Sequence, residues 1–457
     1  MANFTTDGQL CIGREINVEP HQFNDLSSSF DIEETCKWIS DHNFTKISLQ
    51  FPDELLPVST KVYEEIKKRI DIDLYILGDT SYASCCIDAV AAMHVKSDAV
   101  VHYGHTCFTK TNIPVYIVLP KSLLNVDKVM KGITEDKQAE ENNKLCLFYG
   151  SEYDHCKDNL KRIWFQCFPR SYIAYIEKVD HKDRFLGRLV QDATGQTYSV
   201  DILEDCFCIF IGSRGQTIFN LTISVLAKGW YLFNPDKNKL EHIDETSWMK
   251  RRRFLVEKCK DAEVVGILVC KLAGEQTKEI ISRMKQLCRI NGKKNYIVSV
   301  GKPNVAKLAN FPEIDIYVMI ACPENDLYSN RDFYKPIVYP YELEVALNSK
   351  RDQYFTTHVT DYDDLLNGKR HHCEIDNIKE ETDVSLITGR IRETKVGHSQ
   401  ESKMELEMKQ NWALENIGNN LHERSWKGLE QKLGETEVKP AQTGRKGIPL
   451  QYNNEPK

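Results

Sequence analysis

The segment Leu74–Cys107, LYILGDTSYASCCIDAVAAMHVKSDAVVHYGHTC, constrains the fold of this chain more than any other stretch. It reads as an apolar strand, a polar loop, a short helix, a second apolar strand and another loop. That is the order of a parallel α/β sheet, in which loops at the carboxyl ends of neighbouring strands converge on one crevice. Both loops carry cysteine: Cys85 and Cys86 in the first, Cys107 in the second. Thiols that converge this way point to metal or redox chemistry.

The same reading extends in both directions. A helix over Glu34–His42, a strand over Lys46–Phe51 and a helix with Leu55, Val58, Val62 and Ile66 at helical spacing come before. The strand Val115–Val118 follows. A polar segment, Lys131–Asn143, separates this unit from a second, with strands expected at Leu145–Tyr149, Tyr172–Ile176, Cys206–Ile211 and Gly229–Phe233. Lys250–Arg253 opens a helix into a third unit and reads as a solvated basic face. There Val264–Cys270 is a buried strand, Ile280, Ile281, Met284, Leu287 and Cys288 line a helix, and Gly292 sits where a C-cap glycine belongs. Strands at Tyr296–Val300 and Ile314–Ile320 frame a short helix at Asn304–Ala309, and Ile337–Val338 adds a strand before a turn at Pro340. Units one and three share an order: strand, helix, strand, then a strand that ends at a cysteine, Cys107 or Cys322.

The expected organisation is therefore a flexible arm over residues 1–30, α/β domains over 31–130, 140–240 and 250–365, and a linker with a mostly disordered tail over 366–457. The tail is charged and poor in aliphatics, with one helix-prone piece at Glu401–Leu414.

A chain of 457 residues with 41% hydrophobic content is long enough for several packed cores. Its formal charge of −7 argues against a general binder of nucleic acid or of anionic membranes. No apolar run approaches the roughly 20 residues that span a bilayer. The amino terminus lacks the order of a secretory signal. Fifteen cysteines then read as reduced thiols in a cytoplasmic protein.

Cys86 (or its neighbour Cys85), Cys107 and Cys322 lie far apart in sequence rather than in the close pairs of structural zinc or the short runs of ferredoxins. Such a set suits a cluster held at a domain junction, and three thiolates would leave one iron of a four-iron cluster open. Cys146, Cys167, Cys206, Cys208, Cys270 and Cys288 read as inert core residues. His102 and His105 flank Cys107 as ligands, supporting donors or plain structural groups. His371-His372-Cys373 reads as a solvated linker. Ile211–Thr217, IGSRGQT, follows a strand but lacks the spacing of a phosphate-binding loop, so a tight turn is expected.

LQFPDELL (Leu49–Leu56), GDTSYASCCID (Gly78–Asp88), SDAVVHYGHTC (Ser97–Cys107), VGKPNVAKLANFPEIDIYVMIACPEN (Val300–Asn325) and FYKPIVYPYELEVAL (Phe333–Leu347) resemble the diphthamide biosynthesis protein 1/2 family. The third-unit block and RSWKGLE (Arg424–Glu430) favour its branch of second subunits. The resemblance implies three related α/β domains around a central [4Fe-4S] cluster, each domain typically giving one cysteine. It implies a complex that cleaves S-adenosylmethionine and transfers a 3-amino-3-carboxypropyl radical to a histidine of translation elongation factor 2. Carried over by motif, the ligands are Cys86 or Cys85, Cys107 and Cys322. The second-domain cysteine of catalytic members has its counterpart in Leu186-Gly187-Arg188-Leu189, where Arg188 stands instead. The resemblance thus implies a supporting subunit of a heterodimer, with S-adenosylmethionine bound at the catalytic partner and electrons supplied by a donor protein.

Overall fold

The computed structural model describes residues 25–78, 84–135, 144–179, 181–270, 276–300, 303–325, 333–352, 355–375, 383–389, 391–392, 447–448 and 451–452. Most of the expected arm and tail, including Glu401–Leu414, lies outside them.

The first sheet holds β1 (Lys46–Gln50), β2 (Asp73–Leu77), β3 (Ala99–Tyr103) and β4 (Val115–Val118). Its order is β2-β1-β3-β4, parallel throughout. All five residues of β3 are buried, as a central strand covered on both faces requires. Ile47, Leu49 and Val101 pack under Ile39, Val62 and Ile66 of the flanking helices.

The second sheet comprises β5 (Leu145–Tyr149), β6 (Tyr172–Ile176), β7 (Arg188–Asp192), β8 (Thr197–Tyr198), β9 (Phe207–Ile211), β10 (Gly229–Asn234) and β11 (Lys239–Ile243). Its order is β11-β10-β9-β5-β6-β7-β8. The four strands expected from sequence form its parallel centre. β7, β8 and β11 extend it as antiparallel additions. The third sheet holds β12 (Val264–Val269), β13 (Lys294–Ser299), β14 (Ile316–Ile320) and β15 (Ile337–Val338) in the parallel order β13-β12-β14-β15.

Counted within each unit, all three parallel centres have one order: second, first, third, fourth. The sequence displays only a shared succession of elements along the chain, and that for units one and three. In unit two the hairpin of β7 and β8 separates the second strand from the third and hides it. An order that reverses between first and third strands opens a crevice at their carboxyl ends. The chain places Cys107 just beyond β3 and Cys322 just beyond β14, the third strands of units one and three.

Two local expectations change. Pro340 does not make a turn; it starts the helix Pro340–Leu347, where its fixed φ suits the first turn and Glu342 accepts from the Tyr339 N–H at 2.8 Å. The basic run is not a solvated face. Arg252 lies inside the helix Thr246–Asp261, only 1% exposed, paired with Glu342, while Arg253 donates to the Phe355 carbonyl at 2.8 Å. Gly292, at φ +62°, ends the helix Thr277–Ile290 as expected. Beyond the third sheet, Leu365 and Leu366 are buried, and Arg392 pairs with Asp261 at 2.7 Å and Glu257 at 3.0 Å.

Candidate metal centre

Gln50, the last residue of β1, is wholly buried and fixes the first cysteine loop from both sides. Its side-chain amide donates to the Cys86 carbonyl at 2.7 Å, and its side-chain oxygen accepts from the Asp88 N–H at 2.9 Å. Asp88 in turn caps the helix Ala89–His94 by accepting from the Ala91 N–H at 2.8 Å. The second loop is sewn to the first. The Cys85 carbonyl accepts from the Cys107 N–H at 3.1 Å and from the Thr106 hydroxyl at 3.2 Å. Gly104 makes the approach possible: it adopts φ +100°, and a Cβ there would press on Pro52 at 3.0 Å. The third loop leaves β14 through Ala321 and brings Cys322 in from the other side.

The result is four buried sulfurs, from Cys85, Cys86, Cys107 and Cys322, all within 4.8 Å of one another. Cys85 Sγ lies 3.8 Å from Cys322 Sγ, and Cys86 Sγ lies 3.8 Å from Cys107 Sγ. The sequence leaves Cys85 and Cys86 as alternatives; the fold turns both inward. Unit one therefore contributes three thiols and unit three one. Hydrogen bonding from the Cys107 sulfur heads the causes that hold the Cys85 and Cys322 thiols well above their ordinary range. Four adjacent thiols cannot all ionise unless a cationic centre compensates them, so the donor set fits a metal ion or cluster. At a metal–sulfur length of about 2.3 Å, one tetrahedral ion sets about 3.8 Å between its sulfurs. A four-iron core holds its ligand sulfurs further apart, so to receive one the loops must part.

Neither flanking histidine belongs to this group. His102 is fully buried in β3 with its Nε2 3.0 Å from the His105 carbonyl, and burial lowers its pKa. His105 turns the other way. Its Nδ1 meets Ser151 Oγ at 2.8 Å, and its Nε2 pairs with Glu324. Burial opposes the charged ring, but the Glu324 carboxylate outweighs it and raises the His105 pKa. Glu324 also accepts from the Thr217 hydroxyl at 3.1 Å, and Asn220 donates to the Pro323 carbonyl at 2.7 Å. Unit two thus offers no thiol at the junction but grips two of the three thiol loops of its neighbours, those of Cys107 and Cys322, through Ser151, Thr217 and Asn220.

A second grip comes from the turn before β7. Arg184 donates to the Phe108 carbonyl at 2.9 Å, and Gly187 lies so close under Phe108 that a Cβ would meet its ring at 2.4 Å. Arg188 follows, buried, as the first residue of β7. Sequence reasoning missed Gln50, Ser151, Thr217, Asn220 and Glu324. The only signal for Glu324 was its place two residues after Cys322.

The remaining candidates fall elsewhere. Cys146, Cys206, Cys208, Cys270 and Cys288 are buried core residues, whereas Cys167 is exposed. His371 is partly buried rather than solvated, its pKa pushed down to about 4 chiefly by burial, and the Cys373 carbonyl accepts from Arg283. Gly212–Gly215 forms the turn into the helix Gln216–Ser224, with Arg214 exposed and 3.7 Å from Glu245. Among the described residues no helix is long and apolar enough to cross a membrane.

The family model for diphthamide synthesis proteins matches residues 51–356. The chain is 35% identical to 2-(3-amino-3-carboxypropyl)histidine synthase subunit 2 of Danio rerio, across 99% of this chain and 97% of that protein. It is 32% identical to the protein of the same name from Schizosaccharomyces pombe, across 83% of this chain and 76% of the relative. In fold it is similar to the crystal structure of Dph2 from Pyrococcus horikoshii with a 4Fe-4S cluster, at a TM-score of 0.58 and 20% identity, covering 75% of this chain and 96% of that one.

Proposed function

The chain belongs to the diphthamide synthesis protein family, and from that premise we propose that it is the iron–sulfur subunit of a heterodimeric 3-amino-3-carboxypropyl transferase. In this reading the complex moves the 3-amino-3-carboxypropyl group of S-adenosylmethionine to a histidine of translation elongation factor 2, in the cytoplasm. S-adenosylmethionine is bound and cleaved at the catalytic partner subunit. This chain supports or reduces the partner's cluster, and an electron-donor protein feeds it.

One observation carries the assignment to a supporting role: four thiols, not three, converge on one point. Cys85, Cys86, Cys107 and Cys322 together would ligate every iron of a [4Fe-4S] cluster. A centre closed in this way has no open position for substrate, just as a structural zinc site differs from a catalytic one. When bound, such a cluster supplies one-electron transfer. The residues of the chain would bury it and supply the four thiolates, with Gln50 anchoring the Cys86 loop and the Cys85 carbonyl joining it to the Cys107 loop.

The 3.8 Å sulfur contacts favour a second reading, a single tetrahedral zinc that only stiffens the junction. Metal and sulfide analysis of anaerobically purified protein separates the two. The function itself is tested by co-purifying the chain with its catalytic partner and assaying group transfer. The Cys85→Ser/Cys86→Ser/Cys107→Ser/Cys322→Ser variant is expected to bind the partner yet fail to sustain turnover. Full turnover with that variant would reduce the chain to an interaction subunit without a functional cluster.

A further inference from the structure

Unit two gives no thiol to the junction, yet it buries a cation next to the residue that packs on the Cys107 loop. Arg188 is 4% exposed, and its Nη1 has no hydrogen-bond partner among the described residues. No carboxylate among the described residues pairs with its Nη1. Glu324, Asp154 and Glu152 act on it only through space, and two of them are already engaged: Glu324 with His105 and Thr217, Asp154 with the Tyr149 hydroxyl at 3.2 Å. A buried guanidinium nitrogen without a partner is costly for a core to hold. Burial is accordingly the largest influence on Arg188 and works against its charge.

The surroundings point to what would balance it. The backbone beside Arg188 is pinned to the thiol loop, since Gly187 lies under Phe108, which follows Cys107, and Arg184 holds the Phe108 carbonyl. A metal centre held by four thiolates is an anion, and an iron–sulfur cluster becomes more negative on reduction. We propose that Arg188 is the counter-charge of the tetrathiolate centre: where the other two units give thiolates, unit two gives a fixed positive charge. This rests on the iron–sulfur reading above. A cation at that place favours the reduced form and so sets the potential higher than thiolates in an apolar pocket would.

The test uses the full chain, loaded anaerobically, as the parent and as Arg188→Met and Arg188→Lys. Arg188→Met keeps length and removes charge; Arg188→Lys keeps charge. The Met variant is expected to retain its iron, with a reduction midpoint shifted to more negative potential. The gap in melting temperature between loaded and chelator-stripped protein should narrow, because stripping no longer leaves an unbalanced cation. The Lys variant should stay close to the parent in both measurements. Equal shifts for Met and Lys, or no shift for Met, would overturn the proposal. So would a stripped Met variant less stable than the stripped parent or unable to fold, since removing an unbalanced charge should stabilise. A parent protein that binds no iron would overturn the iron–sulfur reading itself, a distinguishable result.

Discussion

Arg252 and Glu342 form a buried ion pair inside unit three, and His358 Nε2 lies 3.1 Å from Glu342 Oε1. Burial alone would raise the Glu342 pKa, but Arg252 and His358 outweigh it and lower the pKa to about 2. Removing one partner strands the other charge in the core. Glu342→Gln should therefore cost about 3–5 kcal/mol in a denaturant titration, while Arg252→Met combined with Glu342→Leu should cost less, because no charge is stranded and only the Tyr339 N–H and His358 lose their acceptor. The pH dependence follows from the same pair. A carboxylate whose pKa is lower folded than unfolded gives stability that is complete above the unfolded value of about 4.3 and disappears as pH falls through about 2. Acid unfolding of the parent should steepen across that window, and the double variant should lose the added slope. Nothing near Arg252 in sequence announces this, because its partner lies 90 residues away. The thiols were far more legible. Cys85 and Cys86 stand in a polar loop, where a core cysteine has no reason to be, and Cys107 and Cys322 each follow an apolar strand. What the sequence did not resolve was that Gln50 fixes the loop with both Cys85 and Cys86 turned inward.

At the scale of elements, the loops that follow β2, β3 and β14 bear the site, and side chains of unit two hold the last two. His105→Ala or Glu324→Gln should leave iron content at purification unchanged, yet raise the rate of iron loss to a chelator by the order of tenfold. Gly187→Ala tests the second grip. At φ +76°, with Phe108 2.4 Å from the new Cβ, the variant should lose about 1–3 kcal/mol in thermal unfolding. The buried parallel strands were readable as apolar runs because both their faces are covered. β7, β8 and β11 were not, since β8 and β11 are half-exposed edges and β7 is buried over only three residues, the first of them a charged Arg188. Missing them also concealed that unit two repeats the strand order of its neighbours. Its hairpin is an insertion, and that insertion carries Gly187 and Arg188 to the junction.

Across the whole molecule, thiols from units one and three meet while unit two supplies hydrogen bonds and a cation, so the centre should tie the three units into one. Chelation should lower the melting temperature and raise hydrogen exchange at residues 104–109 and 321–325 ahead of the strands that precede them. Equal protection before and after chelation would show that the junction needs no metal. The central claim is a closed iron–sulfur centre on four thiolates, and anaerobic metal and sulfide analysis of the parent and the four single variants tests it most directly. The account predicts the iron and sulfide of a [4Fe-4S] cluster in the parent, and a marked loss in each of Cys85→Ser, Cys86→Ser, Cys107→Ser and Cys322→Ser. Stoichiometric zinc without sulfide, or full iron in both the Cys85→Ser and Cys86→Ser variants, would contradict it.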